Sequence, residues 1–171
     1  PDMIRQQSGN PVMELSGHTF IKRSFLALGA AYAGELSGHH FFRSIGGDDG
    51  FAAGLFFAHL VQESQRPLSQ VVAEILSYPI TPDIRLPMAA DDIQRLIADV
   101  EARLGSRSSI HKSDGIRVEF PDGWALLRPS VTEPVVSLRF EGLDEGSLDH
   151  IIAEIEAGCG LLAGKLSHLR R

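Results

Sequence analysis

Apolar residues Phe20, Ile21, Phe25 and Leu28 follow Ser16 at helical spacing and stop at Gly29, which predicts a helix over residues 16–28 with Ser16 as its cap. Ala31-Tyr32-Ala33 and Phe41-Phe42-Arg43 then read as two short strands around a polar loop with glycines at 34 and 38. Asp48-Asp49-Gly50 opens a strongly apolar helix over 51–63, and Arg66-Pro67-Leu68 opens another towards Ser77, with proline in its first turn. Both helices are expected to pack on the same sheet.

The pattern breaks at Tyr78-Pro79-Ile80-Thr81-Pro82-Asp83, where two prolines stop helix continuation. A domain boundary is placed here, giving domains of residues 1–78 and 79–171, with a hinge over 78–82. Ile93, Leu96, Ile97, Val100 and Leu104 mark a helix over 89–104 that ends at Gly105. Residues 115–120 and 124–127 alternate on either side of Pro121-Asp122-Gly123, a hairpin signal. Another strand is expected over 135–140. Leu148, Ile151, Ile152, Ile155, Leu162 and Leu166 predict a long final helix over 147–169. The second half therefore reads as a small α+β domain with helices on one face of an antiparallel sheet.

The chain has 171 residues, of which 43% are hydrophobic, enough for one domain or two small ones. A net charge of −6 without a basic run argues against nucleic acid, so a phosphate ligand needs a local positive pocket. No apolar run approaches the roughly 18 to 20 residues of a membrane span, and no signal-peptide pattern opens the chain, so no membrane is expected and the cytoplasm is the expected location. The lone cysteine, Cys159, falls in an apolar stretch and is expected to be a buried, inert thiol.

Two polar segments carry candidate chemistry. Gly34-Glu35-Leu36-Ser37-Gly38-His39 offers a carboxylate, a hydroxyl and an imidazole between glycines that let backbone approach a ligand. In a strand-loop-strand setting, Glu35 and Ser37 can point the same way while Leu36 anchors the opposite side, an arrangement suited to vicinal sugar hydroxyls. By itself the segment also reads as a turn whose Glu caps a backbone amide. Arg128-Pro129-Ser130-Val131-Thr132-Glu133-Pro134 offers a guanidinium and two hydroxyls on a proline-stiffened connection, which can cradle phosphate. Alone, Arg128 also fits a surface ion pair.

In this order the two segments resemble the phosphohexomutase family, in particular its phosphomannomutase/phosphoglucomutase branch. The resemblance extends over Ser16-Gly17-His18, Gly47-Asp48-Asp49-Gly50, Asp114-Gly115 and Gly123-Trp124. It implies a partial three-layer α/β/α domain with a mixed sheet, the family's domain 3, followed by the small α+β domain, its domain 4. It also implies that Glu35 and Ser37 bind sugar hydroxyls, and that His39 and His18 lie beside the reacting sugar, where one handles a proton. Arg128, Ser130, Val131 and Thr132 would hold the distal phosphate. Val131 departs from the Asn or Gly usual in the family, leaving only its backbone amide to contribute.

Neither the family's phosphoserine loop nor its Asp-rich metal loop is found in the sequence. The resemblance therefore implies the C-terminal portion of an isomerase that interconverts hexose 1- and 6-phosphates through a phosphoserine and a hexose 1,6-bisphosphate. Its partners would be a phosphosugar and the preceding domains of the same chain. Mg²⁺ would serve the parent enzyme from outside these residues, with no metal site here. A phosphoglucosamine mutase portion and a stand-alone sugar-phosphate-binding module are the alternatives.

Other constellations are weaker. Zinc at His39-His40 with His18 and Glu35 is set aside, because adjacent strand residues diverge and no histidine pair has i, i+4 spacing. A Ser37, His39 and Asp48 triad lacks a nucleophile elbow. Asp48-Asp49 reads as helix capping.

Overall fold

The computed structural model describes residues 1–106, 108–112, 114–130 and 132–169. The chain divides into two units, Pro1–Leu76 and Ser77–Arg171. In the first unit the elements run α1 (Asp2–Gln6), α2 (His18–Leu28), β1 (Tyr32–Gly34), β2 (His40–Phe42), β3 (Gly47–Asp48), α3 (Gly50–Ser64) and α4 (Leu68–Ala73). The three strands form an antiparallel meander in chain order. Ile21 and Phe25 from α2 close on Phe41 of β2 to make a small core, with Ala30 and Ala33 against it. The helical spacing at 21 and 25 puts both side chains on one face of α2, which is why that face is the buried one.

Local details depart from the sequence reading. The residue before α2 is Gly17, and Ser16 makes no cap hydrogen bond, so the helix starts later than position 16. Asp49 does cap α3, its carboxylate accepting from the Ala52 amide at 2.9 Å. No residue of α3 or α4 is buried. The expected packing of both helices on a sheet is thus reduced to contacts such as Phe42 against Phe56, ring centroids 4.9 Å apart. Helix α4 ends at Ala73, short of 77, and the next residue, Glu74, folds back onto Arg66 at 2.6 Å.

The second unit contains β4 (Ile84–Pro87), α5 (Ala90–Leu104), β5 (Ser109–His111), β6 (Ile116–Phe120), β7 (Gly123–Pro129), β8 (Val135–Gly142) and α6 (Glu145–Gly158). Its sheet has the order β4-β8-β7-β6-β5, antiparallel throughout. Every second residue of β8 is buried, and Val136, Leu138 and Phe140 share one core with Ala125 and Leu127 of β7 and Val118 of β6. Leu96, Val100 and Leu104 of α5 and Ile151, Ile152 and Ile155 of α6 complete this core. Period-2 and period-3.6 patterns thus bury one face of each element, as the hairpin and helix signals required.

The final helix is a correction: α6 stops at Gly158, and Cys159 is extended at φ −146°. Glycines at 158, 160 and 164 interrupt the helix, and two 3₁₀ turns, Gly160–Leu162 and Ser167–Leu169, carry the chain on. Leu162 and Leu166 still reach the core. Strands β3, β4 and β5 and the short α1 were not anticipated. All described strand pairs are antiparallel, so the parallel pairing of a mixed sheet does not occur among the described residues. Among the described residues no helix is long and apolar enough to cross a membrane.

Candidate functional site

Pairing of Gly34 with His40 makes the polar loop a tight hairpin connection. The Glu35 amide donates to the His39 carbonyl at 3.0 Å, and the Gly38 amide to the Glu35 carbonyl at 2.9 Å. Gly38 sits at φ +94°, backbone that a side chain would strain. Because the backbone turns here, strand alternation does not govern the side chains. Leu36 is 95% exposed and anchors nothing, contrary to expectation. Ser37 is exposed at the tip and Glu35 is half-buried. The Glu35 Oε2 atom is shielded and makes no hydrogen bond among the described residues. A carboxylate oxygen in that state carries a desolvation cost that a donor would relieve.

At the end of the loop the two adjacent histidines separate. His40 Nδ1 lies 2.7 Å from the Tyr32 hydroxyl. His39 Nδ1 lies 2.6 Å from Asp48 Oδ2, and His18 Nε2 lies 3.5 Å from that same oxygen. The other carboxylate oxygen, Oδ1, accepts from the His40 amide at 2.9 Å, which fixes the carboxylate in place. These hydrogen bonds, led by the one from His39, hold the Asp48 carboxyl below its ordinary pKa. Asp48 is therefore an acceptor, and the tautomer of His39 with its proton on Nδ1 would donate to it and leave Nε2 able to accept.

Three parts of the chain supply this cluster: the first residue of α2, the loop before β2, and β3. Sequence reasoning placed Asp48 beside His39 only in the triad that it set aside, and otherwise assigned Asp48 to the start of α3. Two acids stand at that start and only Asp49 caps it, which was the available signal. The hydrolase triad gains no support, since no hydrogen bond joins Ser37 to His39 among the described residues. An open groove of about 870 Å³ in this unit, lined by residues such as Ile21, Phe25, Leu28 and Tyr32, includes none of the side chains Glu35, Ser37, His18 or His39. Hydrogen-bonding chemistry, not cavity volume, marks the loop.

In the second unit, Arg128 is the penultimate residue of β7 and exposed. Its Nε lies 3.0 Å from Asp114 Oδ1. Gly115 enables that approach: at φ +78°, a Cβ there would lie 2.3 Å from the Leu127 carbonyl oxygen and 2.8 Å from Arg128 Cα. The ion pair is made through Nε, and a phosphate would be met through the Nη groups of the guanidinium fork. Ser130 Oγ accepts from the Glu133 amide at 3.2 Å and from the Thr132 amide at 3.4 Å, so its own proton remains available to donate. Thr132 is exposed. Val131 lies outside the described residues. Glu133 pairs with Arg85 across the sheet edge.

The only cluster of potential ligands among the described residues is two imidazoles with one carboxylate, a poor match for Mg²⁺, an ion that prefers oxygen and water. Cys159 is buried against Asp99, and burial raises its thiol pKa, in keeping with an inert role.

An α/β unit carrying a sugar-compatible loop, followed by a small α+β unit carrying a phosphate-compatible turn, defines the class to which the chain belongs. Residues 1–78 match the family model described as phosphoglucomutase/phosphomannomutase, alpha/beta/alpha domain III, and residues 83–158 match the C-terminal domain of the same family. The chain belongs to the phosphoglucomutase/phosphomannomutase family.

A phosphoglucomutase of Neisseria meningitidis is 34% identical over 159 residues, which cover 90% of this chain and 34% of that protein. A phosphomannomutase/phosphoglucomutase of Pseudomonas aeruginosa is 36% identical over 155 residues, 87% of this chain and 33% of that protein. The crystal structure of a phosphoglucomutase/phosphomannomutase family protein from Burkholderia thailandensis superimposes with a TM-score of 0.78 at 31% identity, over 95% of this chain and 35% of that one. The chain thus spans about a third of the length of the curated relatives that it matches.

Proposed function

We propose that this chain is the sugar- and distal-phosphate-recognising portion of a phosphohexomutase, which interconverts hexose 1-phosphate and hexose 6-phosphate. Support comes chiefly from one observation: matches to domain III and the C-terminal domain fall in order along the chain, and each contains its own polar segment. In this reading residues 1–78 recognise the sugar and residues 79–171 the phosphate, with flexibility over 78–82.

Glu35 accepts hydrogen bonds from vicinal ring hydroxyls, and Ser37 donates or accepts beside it. Those hydroxyls lie between positions 1 and 6, so the same contacts serve either orientation of the sugar. Arg128, with Ser130, the Val131 amide and Thr132, holds whichever phosphate is not reacting, and that binding energy positions the reacting end. His39, oriented by Asp48, takes or returns a hydroxyl proton through Nε2, with His18 beside it. The phosphoryl group would come from a phosphoserine outside these residues and pass through a hexose 1,6-bisphosphate. Mg²⁺, likewise held outside them, would neutralise charge on the transferring phosphoryl group.

The test is a titration of the 171-residue chain with glucose 1-phosphate, mannose 1-phosphate and glucose 1,6-bisphosphate, followed by amide NMR. Shifts should concentrate at residues 34–39 and 128–132, and a coupled mutase assay of the same chain should show no turnover. Shifts confined to other segments, or turnover by these residues alone, would overturn the proposal.

A further inference from the structure

His18, His39 and Asp48 each offer one ligand atom, and the three atoms lie within 4.8 Å of one another. The imidazole rings meet edge-on instead of stacking, at 65° with centroids 5.0 Å apart. Asp48 Oδ2 lies 2.6 Å from His39 Nδ1 and 3.5 Å from His18 Nε2. We propose that His18, His39 and Asp48 bind a divalent transition-metal ion of the zinc class, with water completing the coordination.

Donor chemistry selects that class. Two imidazoles and one carboxylate with open positions suit Zn²⁺, Co²⁺, Ni²⁺ and Cu²⁺, whereas Mg²⁺ and Ca²⁺ favour oxygen cages. Bonds of about 2.0–2.1 Å place tetrahedral donors roughly 3.3 Å apart. The His18 to Asp48 separation already meets that spacing, and the His39 to Asp48 separation needs to open by less than about 1 Å.

Outer contacts hold the ligands in place, as metal sites require. The His40 amide fixes the second oxygen of Asp48 at 2.9 Å, and the His18 ring sits on Phe41 with centroids 5.2 Å apart. Side-chain exposures of 42% for His18 and 44% for His39 leave a hydrated ion a path in and room for water ligands. Sequence spacing concealed the site because its third ligand is Asp48, not His40 or Glu35.

Binding needs no oxidant. A His39 ring that carries its proton on Nδ1 exchanges its tautomer: the Nδ1 proton leaves to solvent, Nε2 gains one from solvent, and the ion takes the freed Nδ1 lone pair. The Nε2 lone pair of His39 is lost in that exchange, so an ion and a proton-accepting His39 exclude one another. The binding claim itself does not depend on the phosphosugar reading.

The test is a Co²⁺ titration of the 171-residue chain without sugar, read by visible d–d absorption and paramagnetic broadening of histidine ring NMR signals, with Zn²⁺ as competitor. His18 and His39 signals should broaden first and Zn²⁺ should restore them. His18→Ala and Asp48→Asn should each weaken uptake at least 10-fold, Asp48→Glu should retain most of it, and His40→Ala should leave it unchanged. Circular dichroism confirms that each variant is folded. Broadening that begins at His59, His111, His150 or His168, or affinity unaltered in folded Asp48→Asn, would overturn the site. Either outcome leaves the sugar-phosphate titration unaffected, so the two proposals fail separately.

Discussion

His39 Nδ1 and Asp48 Oδ2 are 2.6 Å apart although nine residues separate them in sequence, and β2 pairing with β3 is what brings them together. Phe41 stands opposite Asp48 in that pairing, so the carboxylate emerges beside the histidine two positions earlier. The contact favours a proton on Nδ1 of His39, the nitrogen that faces the carboxylate. Asp48→Asn should redistribute the His39 tautomers, since an amide can no longer act as a two-oxygen acceptor. Histidine ¹⁵N chemical shifts read this directly. Identical shifts in the two proteins would show that the pair does not form in solution.

Arg128→Ala should weaken binding of a phosphosugar by on the order of 2 to 4 kcal/mol, because it removes charge-assisted hydrogen bonds to the phosphate. Asp114→Ala should have a smaller effect, since it frees the guanidinium without deleting it. Calorimetric titration of both variants distinguishes a ligand-binding arginine from a structural one. Equal affinity in wild type and Arg128→Ala removes Arg128 from the site.

Gly115→Ala should destabilise the second unit by about 1 to 3 kcal/mol, from positive-φ strain and the clash with the Leu127 carbonyl. It should also displace Arg128, whose Cα lies 2.8 Å from the added Cβ position. Chemical denaturation measures the first effect and the phosphosugar titration the second.

Phe140→Ala should cost about 3 to 5 kcal/mol, the range for emptying a fully buried aromatic site. The loss should appear in the transition of the Ser77–Arg171 unit, where Phe140 joins sheet and helices in one core. Trp124, in the same sheet, offers a fluorescence probe for that transition.

Asp144 caps α6 by accepting from the Ser147 amide at 2.7 Å, and that hydrogen bond lowers its carboxyl pKa. A depressed folded-state pKa means that the unfolded chain binds the proton more readily. The stabilisation is therefore present above the unfolded-state value of about 3.9 and is lost as pH falls through the lower folded value. Thermal midpoints measured from pH 6 to pH 2 should fall less steeply in Asp144→Asn, which keeps a capping oxygen that does not titrate. Parallel curves would exclude the cap as a source of acid sensitivity.

Much of the second unit was legible in its sequence because its signals are local and agree. Pro121-Asp122-Gly123 sets the hairpin, and alternation through 135–140 sets the buried face of β8. The first unit was less legible. Its strands have two or three residues, too few for periodicity, and the helix over 51–63 is apolar on all sides, so no single face could be assigned. At the loop, residue types suggested sugar chemistry, but the alternating side-chain directions of a strand were carried into a segment where the backbone turns. Leu36 shows the error most directly.

Residue identity and order alone determined the two polar segments, the proline break between the halves, the family resemblance and the apolar faces of α2, α5 and β8. These depend on side-chain chemistry and on spacings of two to four residues, which a linear chain displays. Tertiary structure alone decided that His39 and His40 part company, that Asp48 serves the histidines while Asp49 caps α3, that Asp114 holds Arg128, and that α6 ends at Gly158. Each of these depends on strand register, on a turn's φ angle or on a close backbone approach, and those are set by the energy of the folded chain as a whole, not by any short window of it.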